Sequence, residues 1–356
     1  MRYLLTGGGT AGHVNPLLAV ADAIRLDDAT AEVLALGTAE GLESRLVAER
    51  GYELLTIAKL PFPRRPNAYA IAFLPRFARA VKTCRQIIRA RKIDVVVGFG
   101  GYASAPAYLA AALEKVPLVI HEANALPGLA NRVGAGIARV IAVAFKNTPL
   151  KNSVHVGMPL RREIVDAATA GSQAAARKHF GLAADTPTLL VTGGSLGARH
   201  INQVVESSMQ VLEAAGIQVL HIVGGDSDLA PLKEKGYVRI AYCDRMDLAI
   251  LAADFAVSRA GASTVCEFTA LGLPALYIPY AVGNGEQAKN ITEVLGAGGA
   301  ITVADSDFSR EFVANQVVPL MSNSKDLDAM ASAARRCGNL DGTSQLLALI
   351  KGVVSA

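Results

Sequence analysis

The chain has 356 residues, 51% of them hydrophobic, with 35 Lys and Arg against 31 Asp and Glu for a formal charge of +4. That length suits two domains of ordinary size, and the four widely spaced cysteines (Cys84, Cys243, Cys266, Cys337) exclude a disulfide framework or a cysteine-based metal knot. No apolar run is long enough to span a bilayer, and the first strand begins too early for a signal peptide, so a cytoplasmic protein is expected.

Apolar runs predict strands over 2–6, 32–36, 94–98, 117–121 and 139–143, with helices over 13–26, 40–49, 76–91 and 103–113 between them. The pattern restarts at 188–192 and continues with strands near 217–223, 237–241, 254–258, 274–278 and 299–303. Alternation of this kind predicts an α/β protein with two parallel, Rossmann-like sheets joined by right-handed crossovers. The domains are expected at 1–158 and 159–342, joined near Gly157-Met158-Pro159, with a helix in 343–356 packing back on the first.

The strands over 2–6 and 188–192 each run into a glycine-rich turn and then a helix: Thr6-Gly7-Gly8-Gly9-Thr10-Ala11-Gly12-His13 and Thr192-Gly193-Gly194-Ser195-Leu196-Gly197-Ala198. Glycine permits positive φ and close backbone approach, and a helix N-terminus offers unpaired N–H donors to an anion. Two such cradles predict two halves facing a shared phosphorylated ligand. The first turn fits the dinucleotide pattern, but the next strand ends Leu34-Ala35-Leu36-Gly37-Thr38 without the acid that would hold a ribose. The second fits G-x-S-x-G, but no histidine follows His221 to complete a hydrolase triad, so Ser195 reads as a phosphate donor. His13 closes the first turn at a helix start, which favours the neutral ring. It is either a general base on a hydroxyl or a ligand of the turn itself.

Ser258-Arg259-Ala260-Gly261-Ala262-Ser263-Thr264-Val265-Cys266-Glu267 runs from a strand end to a helix start. Thr264 and Glu267 fit a capping box; alternatively, Glu267 accepts from a ribose diol while the N–H groups of 262–265 face phosphate. Asp226-Ser227-Asp228 and Asp305-Ser306-Asp307 have the D-x-D form of some metal-dependent sugar-nucleotide enzymes, yet their surroundings read as turns. No metal and no cofactor is expected.

Charge is unevenly spread. From Leu54 to Ile93 there are ten basic residues (Lys59, Arg64, Arg65, Arg76, Arg79, Lys82, Arg85, Arg89, Arg91, Lys92) and no acidic one, interleaved with Phe62, Tyr69, Ile71, Phe73, Leu74 and Phe77. A solvated face and a nucleic-acid surface are alternatives, but the apolar interleaving favours an anionic membrane surface over nucleic acid.

Seven motifs in order resemble the MurG family over nearly the whole chain: Gly7–His13, Gly98-Phe99-Gly100-Gly101-Tyr102, His121-Glu122-Ala123-Asn124, Gly157-Met158-Pro159-Leu160-Arg161, Gly193–Ala198, Arg259–Glu267 and Gly285-Glu286-Gln287-Ala288-Lys289-Asn290. The resemblance implies a GT-B glycosyltransferase, with two Rossmann-like domains facing a cleft. Such an enzyme moves N-acetylglucosamine from UDP to the 4-hydroxyl of undecaprenyl-pyrophosphoryl-N-acetylmuramoyl-pentapeptide (lipid I), forming lipid II for peptidoglycan at the cytoplasmic membrane face. It implies that Ser195 and Arg161 contact the diphosphate, that the first turn of the 262–267 helix (Ala262, Ser263, Thr264, Val265, Cys266) faces it, and that Glu267 holds the ribose. Backbone at Cys243 would hold uracil, and Gln287 with Asn124 would read the sugar hydroxyls. Thr10, Ala11 and Gly12 would close over the donor, and Gly98, Gly100, Gly101 and Tyr102 would cradle the acceptor pyrophosphate. His13, helped by Glu122, would be the catalytic base, and the basic–aromatic stretch 62–92 would meet the membrane.

Overall fold

Alternating apolar and small residues build a first sheet whose two faces are both covered. The computed structural model describes residues 1–63, 67–194, 197–280 and 285–354, and its chain divides into two units, Met1–Arg161 with Asp341–Ala356, and Arg162–Leu340. In unit 1 the order is β1 (Arg2–Thr6), α1 (Ala11–Asp27), β2 (Glu32–Gly37), α2 (Glu43–Glu49), β3 (Glu53–Thr56), α3 (Ala68–Ala90), β4 (Val95–Gly98), α4 (Ser104–Glu114), β5 (Leu118–Glu122), α5 (Leu129–Gly134), β6 (Val140–Val143) and β7 (Val154–His155). The sheet is all parallel, in the order β3-β2-β1-β4-β5-β6-β7.

Because side chains alternate across a pleated strand, Tyr3 and Leu5 enter one core cluster while Leu4 enters the other. The first cluster also holds Leu346 and Ile350 of the C-terminal helix, Gly342–Val354, which lies against α1. Both side chains are fully buried, each contributing about 2 kcal/mol of apolar burial.

Unit 2 begins with α6 (Arg162–Ala170) and α7 (Gln173–Phe180), then β8 (Thr188–Thr192), α8 (Arg199–Ala214), β9 (Gln218–Ile222), β10 (Leu232–Glu234), β11 (Tyr237–Ile240), α9 (Met246–Ala252), β12 (Phe255–Ser258), α10 (Ala262–Leu271), β13 (Ala275–Tyr277), α11 (Glu286–Asn290) and, further on, β14 (Ala300–Thr302). Its sheet runs β10-β11-β9-β8-β12-β13-β14, parallel except for the antiparallel β10–β11 pair.

In both sheets the strand order reverses beside the first strand, and ligands of open α/β sheets bind at that switch point. In unit 1 Thr6 pairs with Gly98, so the turns after β1 and β4 emerge side by side. In unit 2 Thr192 pairs with Ser258, which sets the second glycine turn beside the 259–262 turn.

Three strands were not anticipated from the apolar pattern: β3, β7 and β10. All three are edge strands of two to four residues, too short and too polar to give a buried-strand signal. Helix α3 begins at Ala68, ahead of the expected 76–91, with Asn67 Oδ1 accepting from Ala70 N–H at 3.0 Å and Pro75 inside the helix. A proline reads as a boundary in sequence, yet here it costs one hydrogen bond in a helix otherwise anchored by Phe73, Ala80, Val81, Cys84 and Ile88.

Candidate active site

In unit 1 the turn after β1 packs against the turn after β4. Gly101 has φ +88°, and a Cβ there would overlap the backbone of Gly8, so only glycine allows the two turns to touch. Beneath them lies a buried polar network. Gly100 N–H donates to Tyr108 Oη at 3.3 Å, and Tyr108 donates to Asn131 Oδ1 at 2.7 Å. Asn131 Nδ2 donates to Glu122 Oε2 at 2.9 Å. Burial pushes the Tyr108 phenol up, keeping it a neutral donor.

Glu122 sits at the end of β5 and is 2% exposed. Oε1 accepts from Asn124 N–H at 2.8 Å and from Asn124 Nδ2 at 3.4 Å; Oε2 accepts from Gly128 N–H at 3.0 Å as well as from Asn131. Among the described residues no hydrogen bond joins Glu122 to His13. The carboxylate's acceptor capacity goes to shaping the 122–131 loop. Asn124 is pinned at the same place through its own N–H. Tyr102 lies 41% exposed at the head of α4.

His13 stands in the first turn of α1, after Thr10 at the N-cap position, Ala11 and Gly12. Its Nδ1 lies 3.1 Å from Gly8 O and 3.3 Å from Thr10 Oγ1. A carbonyl can only accept, so in the neutral ring Nδ1 carries the proton and Nε2 is the basic nitrogen. A Cβ on Gly100 would come to 3.3 Å from Nε2, so the basic edge of the ring faces the second turn.

Sequence reasoning missed Glu43, the first residue of α2. It is 1% exposed, and its Oε2 accepts from Gly9 N–H at 2.9 Å while Oε1 accepts from Thr38 N–H at 2.8 Å and Thr38 Oγ1 at 2.7 Å. Burial pushes this carboxyl up, but the hydrogen bonds from Gly9, from its own N–H and from Thr38 outweigh that and hold it below the ordinary range. A Cβ on Gly8, Gly37 or Gly41 would overlap it. The available signal was weak: Gly37 and Gly41 lie near it, but Glu40 stands between them, and Glu43 falls six residues past the end of β2, where a ribose-binding acid was sought. The first turn is therefore not an empty anion cradle, because it already holds an internal anion.

In unit 2 the 259–267 stretch folds as a strand–turn–helix. Gly261 is the N-cap of α10, with no side-chain cap, and Val265 N–H makes the first intrahelical bond to Gly261 O at 3.0 Å. Thr264 lies inside the helix, so no capping box forms. The N–H groups of Ala262, Ser263 and Thr264 lack acceptors within the helix. Ser258 Oγ and Ser263 Oγ, on either side of this turn, are buried without a hydrogen-bond partner among the described residues, an arrangement that native structures keep for a reason. Glu267 is 7% exposed, one turn further along α10. The Cys266 thiol is pushed up by burial and then by the charges of Glu267 and Glu293.

Gln287 stitches the neighbouring turns together: its Oε1 accepts from Ala260 N–H at 3.2 Å and Tyr280 N–H at 2.9 Å. Its amide oxygen is filled, so only its N–H groups are left to meet a sugar hydroxyl. Arg259 pairs with Asp305 at 2.6 Å, donates to Ile278 O at 3.1 Å and lies over the Tyr280 ring. Asp305, one half of a D-x-D pair, is thus committed to Arg259, with His200 Nδ1 also at 3.5 Å. Among the described residues no group of three His, Cys, Asp or Glu is placed to hold a metal ion. Cys243 is buried in the segment between β11 and α9. Arg161 closes unit 1, and Ser195 lies outside the described residues.

On α3, Ile71 is 82% and Leu74 72% exposed, with Phe62 at 40%. Some of the expected basic face is spent internally: Arg85 and Arg89 both pair with Glu114, and Arg91 with Glu32 and Glu53. Lys59, Arg76, Arg79, Lys82 and Lys92 are exposed, while Arg64 and Arg65 lie outside the described residues. Among the described residues no helix is long and apolar enough to cross a membrane.

The glycosyltransferase family 28 N-terminal domain matches residues 3–143 and its C-terminal domain residues 188–346. The UDP-N-acetylglucosamine–N-acetylmuramyl-(pentapeptide) pyrophosphoryl-undecaprenol N-acetylglucosamine transferase of Leifsonia xyli is 55% identical over 354 residues, 99% of each chain. The enzyme of the same name from Streptomyces coelicolor is 45% identical over 360 residues, covering 100% of this chain and 99% of its own. The crystal structure of Acinetobacter baumannii MurG superposes with a TM-score of 0.78 at 27% identity over 99% of both chains. A putative UDP-N-acetylglucosamine 2-epimerase from Listeria monocytogenes, at 15% identity and a TM-score of 0.70 over 99% of this chain and 96% of its own, shares the fold alone.

Proposed function

The chain belongs to glycosyltransferase family 28, within the MurG family, and we propose that it moves N-acetylglucosamine from UDP-N-acetylglucosamine to N-acetylmuramyl-(pentapeptide) pyrophosphoryl-undecaprenol, converting lipid I to lipid II. The observation that carries the mechanism is the His13 ring, with Nδ1 held by Gly8 O and Nε2 turned to Gly100.

In this reading the step is one inverting displacement. Nε2 of His13 takes the proton from the acceptor 4-hydroxyl, and the oxygen attacks the anomeric carbon of the donor sugar. The bond from that carbon to the diphosphate oxygen breaks, and UDP leaves with the electron pair. General-base assistance of this kind contributes about 10²- to 10⁴-fold. Charge growing on the diphosphate is met by the N–H groups at the start of α10, by the unpartnered hydroxyls of Ser258 and Ser263, and by Arg161 and Ser195. Glu267 takes the ribose diol, backbone at Cys243 the uracil, and Gln287 donates to a sugar hydroxyl. Thr10, Ala11 and Gly12 meet the donor from unit 1, while the 98–102 turn takes the acceptor pyrophosphate. Asn124 and Glu122 serve by fixing the loop beside that turn.

The acceptor is lipid-anchored, so the protein works as a peripheral enzyme on the cytoplasmic membrane face. Ile71, Leu74 and Phe62 enter the headgroup region, with the exposed lysines and arginines around them on anionic lipid.

The test is transfer of radiolabel from UDP-N-acetylglucosamine to a short-chain lipid I analogue, with and without EDTA. Label in the lipid fraction that survives EDTA supports the reading, whereas loss with EDTA returns the aspartate pairs as metal ligands. UDP release or epimerised sugar without lipid label overturns the acceptor assignment.

A further inference from the structure

The Gly8–Gly9 peptide is hydrogen-bonded by two side chains, one at each end. Its N–H, on Gly9, donates to Glu43 Oε2 at 2.9 Å, and its C=O, on Gly8, faces His13 Nδ1 at 3.1 Å. One planar amide therefore stands between a buried carboxylate and an imidazole. We propose that Glu43 is a positioning residue for the transferase reaction, acting on His13 through this single peptide group as the aspartate of a hydrolase triad acts directly on its histidine. The inference rests on the reading of His13 as the base.

Three physical effects couple Glu43 to His13. Geometry comes first: the carboxylate is seated against Gly8, Gly37 and Gly41, where a Cβ would overlap it, and flipping the peptide would break its bond from Gly9 N–H. Polarisation is second. An amide whose N–H donates to an anion carries more negative charge on its oxygen, and bonds in such a chain strengthen one another where the dielectric is low. Gly8 O thereby becomes a better acceptor for Nδ1–H, which fixes the tautomer with Nε2 unprotonated and open to the acceptor proton. Third, the bonds are ordered to require a carboxylate. Oε1 is taken by two donors from Thr38 and Oε2 by Gly9. In the isosteric amide, one of those two positions becomes an NH₂ group facing another N–H.

The same geometry separates anions. A fixed negative charge bonded to Gly9 N–H disfavours a phosphate on the Gly8–Gly9 peptide, which directs the acceptor pyrophosphate to the 98–102 turn.

The experiment is a double-mutant cycle in lipid I analogue turnover with the full-length enzyme, together with ¹⁵N NMR of the histidine side chains. His13→Ala lowers kcat by about 10²- to 10⁴-fold, Glu43→Gln lowers it about tenfold or more, and KM for UDP-N-acetylglucosamine stays within about twofold in both. The double variant is no slower than His13→Ala alone, because Glu43 acts only through the ring. In the wild-type spectrum, the signal that disappears in His13→Ala reports a neutral ring protonated at Nδ1, and Glu43→Gln loses that preference. Multiplying losses in the double variant would overturn the relay, as would a wild-type ring protonated at Nε2. The wild-type spectrum decides even where Glu43→Gln fails to fold. If His13→Ala leaves kcat intact, the base assignment itself falls, a result distinct from failure of the relay.

Discussion

The turns after β1 and β8 read alike in sequence and lead into helices in the same way, yet they are built for different tasks. The first is gripped by a carboxylate: Glu43 bonds Gly9 N–H, and the turn ends on a histidine whose Nδ1 faces Gly8 O. The described part of the second is held by neutral groups, Gly194 N–H to Thr192 Oγ1 at 3.4 Å and Gly197 N–H to Gly194 O at 3.0 Å. Beside it lies the α10 turn, with helix-start N–H groups that no side chain caps and, among the described residues, two unpartnered serine hydroxyls. A glycine motif therefore specifies a backbone shape; the residues that pack under it decide whether that shape receives an anion or aims a base.

The contrast can be broken by filling glycines. Gly101 and Gly194 share φ +88°, but a Cβ on Gly101 would overlap Gly8 while nothing among the described residues lies within 4 Å at Gly194. Gly101→Ala should destabilise unit 1 by about 3 kcal/mol or more, combining strain and overlap, and abolish transfer. Gly194→Ala should cost only about 1–2 kcal/mol of left-handed strain. Urea unfolding midpoints of the two variants check this, and equal losses would deny the close contact of the unit 1 turns.

A second contrast is between the units' buried histidines. His121, 0% exposed, has Nε2 on Gly157 O at 3.0 Å, and burial lowers it to about 4. His221 in unit 2 is bonded to Tyr237 and Asn202 and is lowered to about 3, again by burial first. Each folded value lies below the unfolded one near 6.5. The stability that each contributes is thus present above pH 6.5 and lost as pH falls towards the folded value, on the order of 3 kcal/mol per site. Glu43 follows the same sign lower down, its contribution present above the ordinary carboxyl value of 4.5 and lost as pH drops below it. Stability of His121→Gln and His221→Gln against wild type across pH 4–7 should show the slope reduced in each.

Much of this was legible. The apolar runs of the central strands are long enough to register, and the motifs around them locate both switch points. What escaped is what depends on three-dimensional neighbours. Tyr108 reads as one more apolar residue of α4 until Gly98 and Gly134 leave room for its ring beneath the turn. Glu43 sits outside every motif window, and nothing in the sequence signals that Glu122, expected beside His13, accepts from Asn124, Gly128 and Asn131. Even the basic stretch overstates its free charge, because Glu114 lies on another element, where it neutralises Arg85 and Arg89.

The smallest expected folding effect is on α3. Replacing both Ile71 and Leu74 by Ser should leave stability within about 0.5 kcal/mol, since both are exposed. Binding to vesicles containing anionic lipid should fall about tenfold or more. Unchanged vesicle binding, measured by co-sedimentation, would place the membrane contact elsewhere.

The account turns on His13. Steady-state kinetics of His13→Ala beside wild type, on UDP-N-acetylglucosamine and a lipid I analogue, test it most directly. The account predicts kcat lower by at least about a hundredfold with KM for UDP-N-acetylglucosamine within about twofold. An unchanged kcat, or a loss confined to KM, would contradict it.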